Sequence, residues 1–121
     1  MKQLVLWVDD IRNPHSEMWK PIVTSNGCIQ GEPIIAWVKN YDEFCNWLNN
    51  AVHDPEFLWP TLICFDHDLG EDKSGLDCTK YLVEMCMKHD FELPFYRCHS
   101  SNPVGVQNIL SYLNSYKKSL E

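Results

Sequence analysis

Residues 4–10, LVLWVDD, set five apolar side chains in a row directly before two carboxylates. An apolar run without alternation is expected of a strand covered on both faces, as in a parallel sheet, and a strand is predicted over Gln3–Val8. Residues 61–68, TLICFDHD, repeat the arrangement: an apolar run over Thr61–Phe65, then Asp66-His67-Asp68. Two such strands side by side would gather four carboxylates and an imidazole at one sheet edge. Like charges that close repel unless neutralised, and a hard divalent cation, Mg2+ or Mn2+, neutralises them best. The pattern points to a metal-assisted site for a phosphate or phosphodiester group.

Working outward, residues 9–33 contain Pro14, Pro21, Pro33, Gly27 and Gly31, with room only for a short helical turn near Ser16–Lys20. Connections this long with little regular structure are uncommon in compact domains and often functional. Ile34–Val38 reads as the second strand. Asn40-Tyr-Asp-Glu43 is a capping-box pattern, and Phe44, Trp47, Leu48 and Ala51 follow at helical spacing until His53-Asp54-Pro55. A polar loop, Leu69–Ser74, leads to a helix over about Leu76–Lys88. Pro94–Cys98 is the fourth strand, and a helix from Pro103 to about Lys118 has Asn102 at its cap and Pro103 in its first turn.

Strands alternating with helices predict one α/β domain over residues 1–121, a parallel sheet of about four strands with helices on both faces. Ligands of such sheets bind beyond the carboxyl ends of the strands. The acidic clusters and the His99–Asn102 loop all belong to that edge.

Composition narrows the function classes. A net charge of -7 argues against an extended nucleic-acid surface, leaving a small nucleotide or a strand end as the partner. No apolar run reaches membrane-spanning length and no signal segment opens the chain, so a cytoplasmic location is expected. The six cysteines include no CxxC pair, and free, mostly buried thiols are expected.

Asp9 and Asp10 read as metal ligands, or as plain turn residues. Asp66 and Asp68 would point the same way if their strand persisted, with Asp66 the better ligand or nucleophile. His67 is either chemical or merely packed. His99, with an ordinary pKa of about 6.5, is the best-placed candidate for proton transfer. Ser100, Ser101 and Asn102 precede a helix N-terminus, where they can bind phosphate oxygens while Asn102 also caps the helix. Arg12 neutralises the carboxylates, clamps a phosphate, or is a surface turn residue. Trp37, Trp47 and Trp59 read as core, and Trp19 as a candidate base-stacking residue.

An acidic pair after strand one, an aspartate after strand three and a serine after strand four resemble a response-regulator receiver domain, on Asp9, Asp10, Asp66 and Ser100. The resemblance implies a flavodoxin-like sheet, here truncated before the usual fifth strand and its lysine. Val8-Asp-Asp-Ile-Arg-Asn-Pro14, Asp66-His-Asp-Leu-Gly70 and His99-Ser-Ser-Asn-Pro103 together are similar to a divergent group, the cyclic-phosphate processing receiver domains. That likeness implies a metal-dependent phosphoesterase acting on a cyclic phosphate of a nucleotide or RNA 2',3'-cyclic end. In it Asp9, Asp10, Asp66 and Asp68 hold Mg2+, His67, His99 and Asp66 are catalytic, and Arg12, Ser100, Ser101 and Asn102 hold substrate. The rival readings are a signalling receiver phosphorylated on Asp66 and a nucleotide-binding module without turnover.

Overall fold

The computed structural model describes residues 3–19, 21 and 29–121. Among these, four strands, β1 (Leu4–Val8), β2 (Ile34–Val38), β3 (Leu62–Phe65) and β4 (Phe95–Cys98), form one parallel sheet in the order β2-β1-β3-β4. Three helices follow β2, β3 and β4: α1 (Tyr41–His53), α2 (Gly75–His89) and α3 (Pro103–Ser119). This is the receiver-like, flavodoxin-like arrangement expected, with strand order reversing between β1 and β3. Each strand and helix lies within about two residues of its predicted bounds, the usual uncertainty of element ends.

Local chemistry fixes the helix starts. Asn40 accepts the Glu43 N–H at 2.8 Å, while Glu43 reaches past the cap to the Lys39 N–H at 3.0 Å. Ser74 and Asp77 form a reciprocal capping box on α2, whose start lies one residue earlier than expected. Asn102 Oδ1 accepts the Gly105 N–H at 3.0 Å and caps α3.

Strand alternation divides the core. Leu4, Leu6, Val8, Val38, Ile63 and Phe65 point to one face, where Phe44 and Leu48 of α1, Leu82 and Cys86 of α2 and Ile109 and Leu113 of α3 cover them. Each fully buried side chain of this size contributes about 1.5–3 kcal/mol. Val5, Trp7, Leu62 and Cys64 point to the other face, packed among the described residues against Ile29, Trp19, Ile35 and Trp37. The three described helices thus share one face, while Trp19 and Ile29 of the 9–33 segment pack on the other. In that segment, turns close between Asn13 and Ser16 and between Ser16 and Trp19; residue 20, in the expected helical turn, lies outside the described residues.

Cys45, Cys64, Cys78, Cys86 and Cys98 are free thiols, as expected; Cys28 lies outside the described residues. Burial pushes the Cys78 thiol far above the ordinary thiol range and raises Cys86 and Cys98 to about 11, so all three stay protonated at neutral pH. No helix among the described residues is long and apolar enough to cross a membrane.

Candidate functional site

Register builds the site. Val8, Phe65 and Cys98 lie level across neighbouring strands. The residue after each continues the ladder: Asp9 N–H bonds Val38 O, Asp66 N–H bonds Val8 O and His99 N–H bonds Phe65 O. Asp9, Asp66 and His99 therefore stand in one row. By alternation all three turn toward the face that carries Trp7.

Asp9 is the hub. Its Oδ1 accepts the backbone N–H groups of Ile11 and Arg12, each at 2.9 Å. Its Oδ2 takes His99 Nε2 at 2.8 Å and Arg12 Nη1 at 3.2 Å. Burial raises the Asp9 carboxyl, but those four donors outweigh it and hold its pKa below the ordinary carboxylate value. Asp66 behaves oppositely. Burial and the neighbouring Asp9 charge push its pKa up, and the Ser100 hydroxyl, Arg12 and the Asp68 N–H offset this only in part.

Carboxylate oxygens of Asp9, Asp10 and Asp66 all lie within 4.8 Å of one another. Three hard oxygens this close suit a Mg2+- or Mn2+-sized ion, which keeps water or substrate oxygens in its other positions. Gly70, at φ +71, lets the β3–α2 loop approach, since a Cβ there would sit 2.9 Å from Asp10 Oδ2. Asp68 lies outside this group. The expectation that it shares a side with Asp66 assumed a continuing strand, but β3 ends at Phe65. Instead Asp68 is turned to His67 Nδ1 at 3.0 Å and to Asn102 Nδ2 at 3.3 Å. The His67 bond, first among its causes, lowers the Asp68 pKa.

His67 packs on the first turn of α3. A Cβ at Gly105 would lie 2.3 Å from His67 Cγ. Alanine in an exposed helix interior is normally favoured over glycine by about 1 kcal/mol. Here Gly105→Ala is expected to cost about 1–3 kcal/mol through overpacking. It should also shift the His67 imidazole resonances while leaving far-UV circular dichroism intact; unchanged resonances and melting would contradict the contact.

His99 is enclosed rather than displayed. Its side chain has no exposed surface, and its ring stacks on Trp7 with centroids 4.0 Å apart and planes 7° apart. Trp19 closes over both rings, at 5.6 Å from His99 and 5.8 Å from Trp7. Among the described residues the buried Nδ1 has no partner, which suits a neutral ring donating from Nε2 to Asp9. Burial lowers the His99 pKa against the opposing pull of Asp9, so the ring is neutral at pH 7.

Ser100 bonds Asp66 and its Oγ also accepts the Asn102 N–H at 3.1 Å; Ser101 is exposed beside them. Arg12 Nη1 reaches Asp66 Oδ2 at 3.4 Å, and its guanidinium lies 5.7 Å from the Trp19 ring. The indoles of Trp7 and Trp37, partners across β1 and β2, donate to Arg12 O and Asp9 O, each at 2.8 Å. Sequence reading missed Trp7, Gly75 and Gly105 as site residues. For Trp7 the signal was present, two positions before Asp9 and on the same face of the strand.

A family model described as the cyclic-phosphate processing receiver domain matches residues 4–115. No curated protein matches the chain. One solved structure, described as a yeast Spc42 trimeric coiled coil fused to another structure, is similar at a TM-score of 0.56 and 18% identity. The likeness covers 92% of this chain and 62% of that one, and at this identity it speaks for the fold alone.

Proposed function

Since the chain belongs to the cyclic-phosphate processing receiver domain family, we propose that its pocket is a metal-dependent phosphoesterase opening a cyclic phosphodiester, with a nucleotide or RNA 2',3'-cyclic end as the substrate class. The observation that carries this reading is the meeting of the Asp9, Asp10 and Asp66 carboxylates, with a hydrogen-bonded His67–Asp68 pair on the loop that follows Asp66. Asp9, Asp10 and Asp66 would hold a divalent cation, which would supply Lewis-acid stabilisation of charge on the phosphoryl oxygens. Asp68 accepts from His67 Nδ1–H and so leaves Nε2 as the base that takes a proton from the attacking water. Water forms a new P–O bond, one ester P–O bond breaks, and the departing ribose oxygen takes up a proton. Ser100 and the N–H groups at the start of α3 hold the monoester product. This reading gives His99 a positioning role: it fixes the Asp9 carboxylate instead of moving protons at phosphorus.

The test is 31P NMR of a 2',3'-cyclic nucleotide with protein, with and without Mg2+. A monoester resonance that needs the metal is expected. It should disappear in Asp66→Asn and slow about 10²–10⁴-fold in His67→Ala, the usual contribution of a positioned base. Full turnover in Asp66→Asn, or an unchanged wild-type spectrum, would overturn the reading.

One observation favours a second reading. A buried carboxylate with a raised pKa, such as Asp66, is a better nucleophile, and Arg12 and Ser100 adjoin it as a phosphoryl acceptor would require. On that reading a small phosphodonor with Mg2+ adds one phosphoryl mass to the intact protein, and Asp66→Asn adds none.

A further inference from the structure

Every acceptor position of Asp9 is taken. A carboxylate oxygen accepts about two hydrogen bonds. Oδ1 holds two backbone N–H groups, and Oδ2 holds His99 Nε2 and Arg12 Nη1. Asp9 can therefore ligate a cation only by releasing a donor. The two backbone donors are fixed by the turn, which the Trp7 indole pins through Arg12 O. His99 is locked between Trp7, Trp19 and Asp9. Arg12 alone has a partly exposed side chain, at 26%, and the longest of the four bonds. Its Nη1 also lies 3.4 Å from Asp66 Oδ2, so it spans two of the three carboxylates that converge. A guanidinium keeps its charge at any ordinary pH and cannot itself ligate a metal.

We infer that Arg12 is a tethered counter-cation: it neutralises Asp9 and Asp66 while the pocket lacks a metal, and a divalent cation must displace it. Released, the guanidinium pivots on a backbone that stays pinned, with the Trp19 ring beside it as a surface to lie on. There it becomes the clamp for the substrate's phosphate. Two ligands that exclude each other weaken each other's binding, so Arg12 lowers metal affinity and raises phosphate affinity. This rests on the proposed metal site and adds to it an order of events: metal enters, arginine leaves the carboxylates, phosphate is gripped.

The test is Mn2+ binding to the whole chain, with free ion counted by EPR, in wild type and Arg12→Gln. Glutamine removes the charge and leaves the backbone bonds of residue 12 in place. Arg12→Gln is expected to bind Mn2+ about tenfold more tightly, within the span of ordinary site coupling. With Mn2+ saturating, it should bind a 3'-nucleoside monophosphate more weakly than wild type does. A supporting structural arginine would move both affinities in the same direction. If wild type binds Mn2+ and Arg12→Gln binds it equally or less well, the inference fails while the metal site stands. If neither protein binds Mn2+, the metal site fails and the inference with it.

Discussion

Asp9→Ala and Asp66→Asn are expected to shift stability in opposite directions, though both remove a carboxylate from the same pocket. Compared in EDTA at pH 7, Asp9→Ala should lose about 3–5 kcal/mol. That is the usual penalty for removing one partner of a buried ion pair. It strands the His99 Nε2–H, two backbone N–H groups and half of the Arg12 pairing at a position where the Asp9 side chain is fully buried. Asp66→Asn should instead gain about 0.5–2 kcal/mol, the range of substitutions that relieve a strained functional site. Burial and the Asp9 charge both oppose ionisation of the carboxyl it replaces.

The pH dependence follows from the two shifts. A carboxyl with a lowered folded pKa, as Asp9 has, contributes stability above its unfolded pKa and loses it as pH falls through the folded one. A carboxyl with a raised folded pKa, as Asp66 has, costs stability progressively as pH rises from the unfolded value through the folded one. The Asp66→Asn advantage should therefore fade below the ordinary carboxylate range and grow as pH rises through the raised folded value of Asp66. Urea unfolding of the two variants and wild type at pH 3, 5 and 7 reads this directly. Destabilisation by Asp66→Asn at pH 7 would contradict the electrostatic account of the pocket.

Among the described glycines, Gly75→Ala should be the most damaging substitution. A Cβ at this position would lie 2.0 Å from Asp66 O and 3.0 Å from His67 Cα. Both neighbours are backbone, and the Gly75 N–H donates to His67 O at 2.7 Å, so the two segments are held together at the clash. At a flexible side chain such a clash relaxes; here the end of β3 and the start of α2 must part. A loss of about 3 kcal/mol or more is expected, the upper end of overpacking, together with loss of the Asp66 geometry. Gly31→Ala is not a fair control, because its φ of +76 strains any side chain, although no described residue lies within 4 Å. Thr79→Ser, nearby in α2, keeps the hydroxyl bond to Gly75 O and should lose only about 1 kcal/mol, for its buried methyl.

Much of this was legible from apolar runs and caps. The carboxylates after β1 and β3 could be placed because parallel strands in register bring their next residues level. Asn102 could be placed because Asn-Pro before an apolar period has one common use. His99 misled, because a histidine after a strand end reads the same whether it faces solvent or an indole. Only the count of alternation from Arg97 through Cys98, taken together with Trp7, turns it inward. Asp68 misled because the two-residue period it relied on stops where β3 stops. The helix faces were half legible: each helix shows an apolar stripe, but a stripe does not say which side of the sheet it covers. Gly75 and Gly105 left no local signal, since their role lies in residues brought near by the fold.

The layer of indoles behind the pocket has an optical consequence. Of the five tryptophans, Trp7, Trp19 and Trp37 belong to the sheet face that carries the site, and Trp47 and Trp59 pack on the helix face. Trp7 stacks on an imidazole, Trp19 lies beside a guanidinium, and Trp37 donates to the main chain of Asp9. Any event that shifts charge among Asp9, Arg12 and His99 therefore occurs against three emitters, while the other two stand off as an internal reference. The protein comes with its own lamp, and occupancy of the pocket can be followed as a change in the colour and intensity of its native emission, without attaching a dye.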